Sequence, residues 1–328
     1  MRLLDLGVAT NMNKNRVVSV SFFWAVRFAI FASVVVLLFA SAASASSPQG
    51  TFEKTFSVSG PVDLEVLTRS GDITIRNGSS GSVFIRGKIY VGDHWLFGRR
   101  QGDVNEIQQH PPLRQEGNSI HVDYVNMHDI SVDYEIAVPP DTTVRTRSGS
   151  GDQTIEGIRG NTDLQSGSGD LRLANLAGEI RLQTGSGNVR AHDISGPVHG
   201  GAGSGDIQID ETGSGDVEVH TGSGNIVVHG IQGGFRADAG SGDITAEGTQ
   251  SGAWEIRTGS GNVHVRLPGN SAFDAEITTS SGTIDIDSPL ETTVQGRVQE
   301  SRKSIRGKVR GGGPLLSVRT GSGDIHIQ

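Results

Sequence analysis

Any chemistry in this chain has to come from a short phrase that keeps returning. S-G-S-G-D stands at Ser148–Asp152 and Ser166–Asp170, A-G-S-G-D at Ala202–Asp206 and Ala239–Asp243, and T-G-S-G-D at Thr212–Asp216 and Thr320–Asp324. T-G-S-G-N fills Thr184–Asn188, Thr221–Asn225 and Thr258–Asn262. Glycine and aspartate at short intervals are the makings of the G-G-x-G-x-D repeats that hold calcium between turns of a parallel β-roll. Gly200 to Asp206, G-G-A-G-S-G-D, comes nearest to that pattern. Glycine nevertheless stands where the motif needs its aspartate, and asparagine removes the charge at alternate copies. The phrase therefore reads as structural, and no metal ligand is assigned.

Other chemistries leave less trace. The chain has no cysteine, which excludes disulfides, zinc thiolates, thiol catalysis and a lipidated cysteine. Its ten histidines are scattered, and His192, His220 and His229, at matching places after their phrases, read as solvated surface lined up on one face. The G-S-G pieces lack the G-K-[ST] of a P-loop, and no G-x-S-x-G elbow occurs. A polysaccharide lyase or hydrolase on a β-helix needs carboxylates and a base converging in one cleft, whereas these acids recur at repeated surface positions. Neither a catalytic residue nor a cofactor is assigned, and an enzyme is not expected. Trp254 falls at an inward strand position and reads as core. Trp95, Phe97, Arg99 and Arg100 sit in an irregular stretch and are the candidates for contact with a partner, with packing of a cap against the coil end as the rival role.

The elements that carry the phrase follow from its period. Gly149, Gly167, Gly185 and Gly203 are 18 apart, a spacing that marks stacked repeats. After each phrase an alternating run begins (Leu171 and Leu173, Ile207 and Ile209, Ile226 and Val228), then a turn, then a second run into the next phrase (Ile180, Leu182, Thr184; Trp254, Ile256, Thr258). Alternation turns these residues to one face of a strand and the intervening charged residues to the other. The expected fold is all-β: a single-stack β-solenoid with coils of about 18 residues, each made of two short strands, preceded by an N-terminal signal helix. At each corner the two glycines supply positive φ, and the Asp or Asn bonds its own turn. The column Asp152, Asp170, Asn188, Asp206, Asn225, Asp243, Asn262 mostly alternates, which relieves like-charge contacts between stacked coils. Thr212–Asp216 is half a period out of step, as though one repeat contained two similar halves.

Residues 1–45 carry a basic start (Lys14, Arg16), an apolar run from Phe28 to Ala40 and an A-x-A site at Ala43–Ala45, the features of a cleaved export signal. The alternative is an uncleaved anchor, since Val17 to Ala40 is long enough to span a bilayer. Residues 46–147 form an N-terminal β portion, with an eroded copy of the phrase at Ser70–Ile73 and an excursion over 93–112, within which Gly102–Gln109 reads as a short helix. Regular repeats fill 148–328. The chain ends within what reads as an ordinary coil, so the basic stretch Ser288–Gly313 is expected to fold back and shield the last strand.

Net charge is −8, and −11 once residues 1–45 are removed, which argues against nucleic acid as a partner. The leader, S-V-D-Y-E-I-A-V-P-P (Ser131–Pro140), the repeated G-S-G-D-I, L-P-G-N-S-A-F-D-A-E-I-T-T-S-S-G (Leu267–Gly282) and G-G-P-L-L-S-V-R-T-G-S-G-D-I (Gly312–Ile325) together resemble the bacterial putative-adhesin family of β-strand-repeat domains. The resemblance covers about Val62 to Gln328. It implies a β-solenoid exposed at the bacterial envelope and carries no site residue to transfer. The expectation is an exported, non-catalytic adhesin or surface scaffold in the periplasm, at the cell surface or outside the cell. Its partner would be an envelope protein or a glycan, and it would touch membrane only through an uncleaved N-terminal segment. A monomer is expected rather than a head-to-tail oligomer. A self-assembling structural protein is the alternative, and a glycan-active β-helix enzyme the second.

Overall fold

The computed structural model describes residues 47–92, 97–287, 290–291 and 303–328. The proposed signal segment and Trp95 lie outside them. Among the described residues the chain forms two long sheets, of 13 and 14 strands, and one helix. Each coil from Thr143 to Arg266 gives one strand to each sheet and stacks in parallel on the coil before it. On the 14-stranded sheet Ile180, Val198, Val217, Phe235 and Trp254 lie in register. On the 13-stranded sheet Val189, Ile207, Ile226, Ile244 and Val263 do the same.

All ten of these side chains are buried, so two apolar ladders face each other across a thin core. Each such side chain contributes roughly 1.5–3 kcal/mol on burial, but a lone coil would leave both flanks of its ladder in water, so stability comes from stacking. Trp254 is fully buried, as its inward position implies. It meets Phe235 edge-on at 5.6 Å, and its indole N–H donates to the Gly233 carbonyl at 3.1 Å.

The first coil is out of sequence order. Strands Asp63–Ser70 and Ile73–Asn77 stack directly on the coil that begins at Thr143, with Ser70 beside Ser150 and Ile73 beside Gln153, so the eroded phrase sits in register with the intact ones. The chain between builds the end of the stack. Gly50–Ser57, Ser82–Val91 and Ile130–Val138 pair antiparallel, and the last of them joins Ile73–Asn77 in parallel. Helix α1 (Phe97–Gln109), within the 93–112 excursion and longer than the sequence indicates, buries Val104 and Ile107. Gln108 of α1 donates to the Thr51 carbonyl at 3.0 Å.

The C-terminal end corrects the expectation that the chain stops at the end of the stack. Leu315–Ser322 lies between Trp254–Ser260 and Phe273–Ser281, and Ile325–Ile327 lies between Val263–Arg266 and Ile284–Ile286. The last coil in sequence is thus the penultimate coil in space, and its Leu316 and Val318 are fully buried. The basic strand Lys303–Val309 does lie along an edge, but the strand it covers is Phe273–Ser281, antiparallel to it, with Leu290–Glu291 beyond. The sequence period gives no warning, because an inserted coil presents the same ladder residues as one added in order.

Candidate functional site

The phrase forms the corner between the two sheets, and its conserved geometry is internal. In coil after coil the aspartate or asparagine Oδ1 accepts the backbone N–H of the equivalent residue one coil along: Asp152 from Asp170 (2.9 Å), Asp170 from Asn188 (2.9 Å), Asn188 from Asp206 (3.0 Å), Asp206 from Asn225 (2.8 Å). The ladder continues through Asp243 and Asn262 to Asp324 and ends on Thr283, and at the other end it runs through Asp72 to Asp133. These side chains therefore bond the neighbouring coil and not their own turn, which corrects the sequence reading. Where four aspartates, Asp133, Asp72, Asp152 and Asp170, follow one another, arginine relieves the repulsion at the last two. Arg172 spans Asp152 (2.5 Å) and Asp170 (3.0 Å), and Arg190 reaches Asp170 at 3.3 Å. Partial burial would raise the Asp152 carboxyl, but the bond from Arg172 and the Asp170 N–H hold it below the usual carboxylate range.

The two glycines have different jobs. The second takes positive φ, +147° at Gly205 and +143° at Gly242, whereas the first is needed because a Cβ at Gly203 would stand 2.6 Å from the Gly185 carbonyl oxygen. The residue before them points inward, and Thr221, Thr258 and Thr320 donate their hydroxyls to Gly205, Gly242 and Gly261 carbonyls at 3.0–3.1 Å. At each rung one side-chain oxygen, Oδ1, is committed to holding the next coil. The out-of-step phrase Thr212–Asp216 lies at the opposite corner, where the Asp216 carboxylate accepts the Gly234 N–H at 2.7 Å.

The outward rows carry the recognisable polarity. On the 14-stranded sheet Arg145, Asp163, Arg181, His199, Glu218, Arg236 and Glu255 stand side by side on successive strands. Arg236 alone reaches Glu255 (3.1 Å), Asp238 (3.2 Å) and Glu218 (3.8 Å). Such exposed pairs add about 0–1 kcal/mol each to stability. The histidines do not share a face: His192 and His229 lie outward on the 13-stranded sheet, His220 on the other. His229 pairs with Glu247 at 3.2 Å.

Of the candidate contact residues, Phe97 and Arg99 begin α1. Arg100 is half-buried and tied to Asp103 (3.0 Å) and Asp129 (3.6 Å), the bonding of a side chain that secures the cap. Sequence reasoning missed two places. Asp285, Asp287 and His326, about 40 residues apart in sequence, bring ligand atoms within 4.8 Å of one another at the C-terminal end, where His326 also meets the His264 ring at 4.7 Å. Among the described residues this is the grouping with metal-ligand chemistry, and only knowledge of the inserted coil reveals it. Glu211 is the other. It occupies an inward position in register with Ile194, its two carboxyl oxygens have no partner, and burial pushes it from near 4.5 up to about 8.

Residues 48–197 and again 176–328 match the Toastrack DUF4097 family. Among solved structures the chain is similar to a putative cell adhesion protein from Clostridium sporogenes, at 13% identity over 84% of this chain and 98% of that one, with a TM-score of 0.26. It is also similar to a putative lipid binding protein from Parabacteroides distasonis, at 14% identity over 85% of this chain and 97% of that one, with a TM-score of 0.35. None of the curated proteins compared with it matches.

Proposed function

The chain belongs to the Toastrack DUF4097 family, and from that premise we propose that it is an exported, non-catalytic β-solenoid serving as an adhesin or surface scaffold of the bacterial cell envelope. The observation that carries this reading is the outward face of the 14-stranded sheet, on which charged and polar side chains recur from strand to strand at the strand spacing. A rigid rod that repeats polar contacts at about 4.8 Å suits an extended or multivalent partner such as a glycan or an envelope protein. Tyr124 and Leu315 are the exposed large apolar side chains among the described residues, and they are isolated, so an apolar partner is not favoured. The carboxylates of the corner are engaged in the coil-to-coil ladder, and Glu211, the acid most shifted by burial, is enclosed beyond a substrate's reach.

A binding screen of Ser46–Gln328 against glycans and envelope proteins tests the reading. Saturable binding without turnover is expected; chemical change of a glycan would put the enzyme reading in its place. Export is tested by sequencing the N-terminus of protein recovered from the envelope fraction. A start at Ser46 is expected, and an intact Arg16 would mean an anchored or unexported chain. Antiparallel strands at both ends of the 14-stranded sheet and at the N-terminal end of the 13-stranded one favour a monomer over head-to-tail assembly, and among the described residues only the three-residue strand Ile284–Ile286 offers a parallel edge that another coil could extend. Sedimentation independent of concentration is the expected result.

A further inference from the structure

Insertion of the last coil brings together two arginines that the sequence keeps apart. Across the 14-stranded sheet the register sets Arg257 beside Arg319 and Arg319 beside Thr278, while the neighbouring outward row supplies Glu276 and, across the antiparallel edge, Arg306. With Ser280 these side chains line an open hollow of about 540 Å³ whose floor is phrase glycine, Gly259 and Gly321. Arg257 is held by Glu255 and by Asp238 at 3.7 Å. Arg306 and Arg319, in contrast, share a single carboxylate oxygen, Glu276 Oε1, at 2.8 and 3.3 Å. Each guanidinium has five N–H donors, so most of the donors of this pair are unclaimed by the described residues. Both side chains are about half exposed or more. In a protein of net charge −8, the hollow gathers three cations around one anion.

We infer that this hollow binds the carboxylate groups of an acidic polysaccharide. Planar guanidinium forks match carboxylates two bonds at a time, and the Thr278 and Ser280 hydroxyls add short-range partners for sugar oxygens. The hollow also opens onto a track bare of side chains, where Gly240, Gly259 and Gly321 stack on successive strands with Cβ positions 2.5 Å from the preceding carbonyl oxygen. A linear saccharide fits that track better than a compact anion does. The inference rests on the adhesion reading and gives it a ligand class and a place.

The test is calorimetric titration of the full-length protein with an oligogalacturonate, a neutral cello-oligosaccharide of the same length, and inorganic phosphate. Binding of the uronate, weakening as salt is raised, is expected. The Arg306→Gln/Arg319→Gln double variant should lose roughly tenfold in affinity. Glu276→Gln, which removes the competing carboxylate, should bind more tightly, and Arg159→Gln, in a turn off the strands where it pairs with Asp141, should be unchanged. Melting temperatures of all variants control for folding. Equal binding of the neutral saccharide, uronate binding that survives the double variant, or phosphate binding that uronate fails to displace would each overturn the inference. A partner found in the wider screen whose binding ignores Arg306 and Arg319 would leave the adhesion reading standing and this site refuted.

Discussion

The middle of the stack and its two ends are built from the same ladder residues but held by different means. Between Thr143 and Arg266 each coil repeats the one before it, and backbone, aspartate ladder and buried apolar ladder all point along the same axis. At the N-terminal end the chain turns antiparallel, adds α1 and introduces bulk, with Phe52 against Tyr134 at 6.3 Å. At the C-terminal end it inserts its last coil and lays a basic strand along the edge. A repeat propagates itself through nearest-neighbour contacts, but it supplies no instruction for stopping. The ends have to supply one: the N-terminal end does so with antiparallel strands on both sheets, the C-terminal end with an antiparallel strand on the 14-stranded sheet, while the 13-stranded sheet ends there in the short parallel strand Ile284–Ile286.

The sharpest way to break this comparison is to put a charge into the core at the middle and at the inserted coil. Ile226→Asp and Val318→Asp both place a carboxylate at a fully buried inward position, and each should cost several kcal/mol. Val227→Asp, one residue along and outward, should change stability by less than about 0.5 kcal/mol. Thermal or denaturant melting reads all three. If Val318→Asp proved as mild as Val227→Asp, the last coil would be peripheral and the insertion wrong.

The regular coils were legible from the alternation of Leu171, Ile207 and Ile226 and from the phrase glycines, because period 2 and period 18 are both local properties of the chain. The inserted coil was not, since Leu316 reads as the next rung whether it stacks on Trp254 alone or between Trp254 and Ala275. The sites that depend on that insertion, Arg257 beside Arg319 and Asp285 beside His326, were hidden with it. Glu211 was hidden for a different reason: an acid in an inward register is indistinguishable from a turn residue until the bulge between Ala191 and Ile194 is seen.

Glu211 marks where the middle departs from its own rule, and it gives the stack a pH dependence. Its carboxyl titrates near 4.5 when unfolded and near 8 when folded. Between those values the folded protein holds a proton that the unfolded chain has released. Stability from this group is therefore complete below about pH 4.5 and falls as pH rises toward 8, by up to roughly 1.4 kcal/mol per pH unit. Glu211→Leu should raise stability by a few kcal/mol at pH 8 and much less at pH 4.5. The quantity to measure is the difference between wild type and variant across that range; a difference independent of pH would show that the carboxyl reaches water.

A smaller effect separates a corner glycine from a loop glycine. Gly242→Ala imposes a side chain at φ +143° and drives its Cβ into the Gly224 carbonyl, which should cost about 2 kcal/mol or more. Gly269, in a loop with nothing within 4 Å of the Cβ position, should tolerate alanine without measurable change. Equal melting shifts would mean that the corners relax far more easily than stacked backbones allow.

The smallest effect tests whether the corner column acts through hydrogen bonding or through charge. Asp170 does both: Oδ1 accepts the Asn188 N–H at 2.9 Å, while Oδ2 accepts from Arg172 at 3.0 Å and Arg190 at 3.3 Å. Asp170→Asn keeps the first function and discards the second. Arg172 retains Asp152 in that variant, and exposed ion pairs contribute little, so the loss should stay below about 0.5 kcal/mol and shrink further in high salt. Asp170→Ala removes both, leaving a half-enclosed backbone N–H without its acceptor, and should cost about 1 kcal/mol that salt does not restore. Asparagine already occupies rungs 188, 225 and 262 of the same ladder, which is the outcome expected if the amide oxygen suffices. Were the asparagine variant as damaging as alanine, charge would be the operative property of the column, and a cation would again have to be considered at the corner.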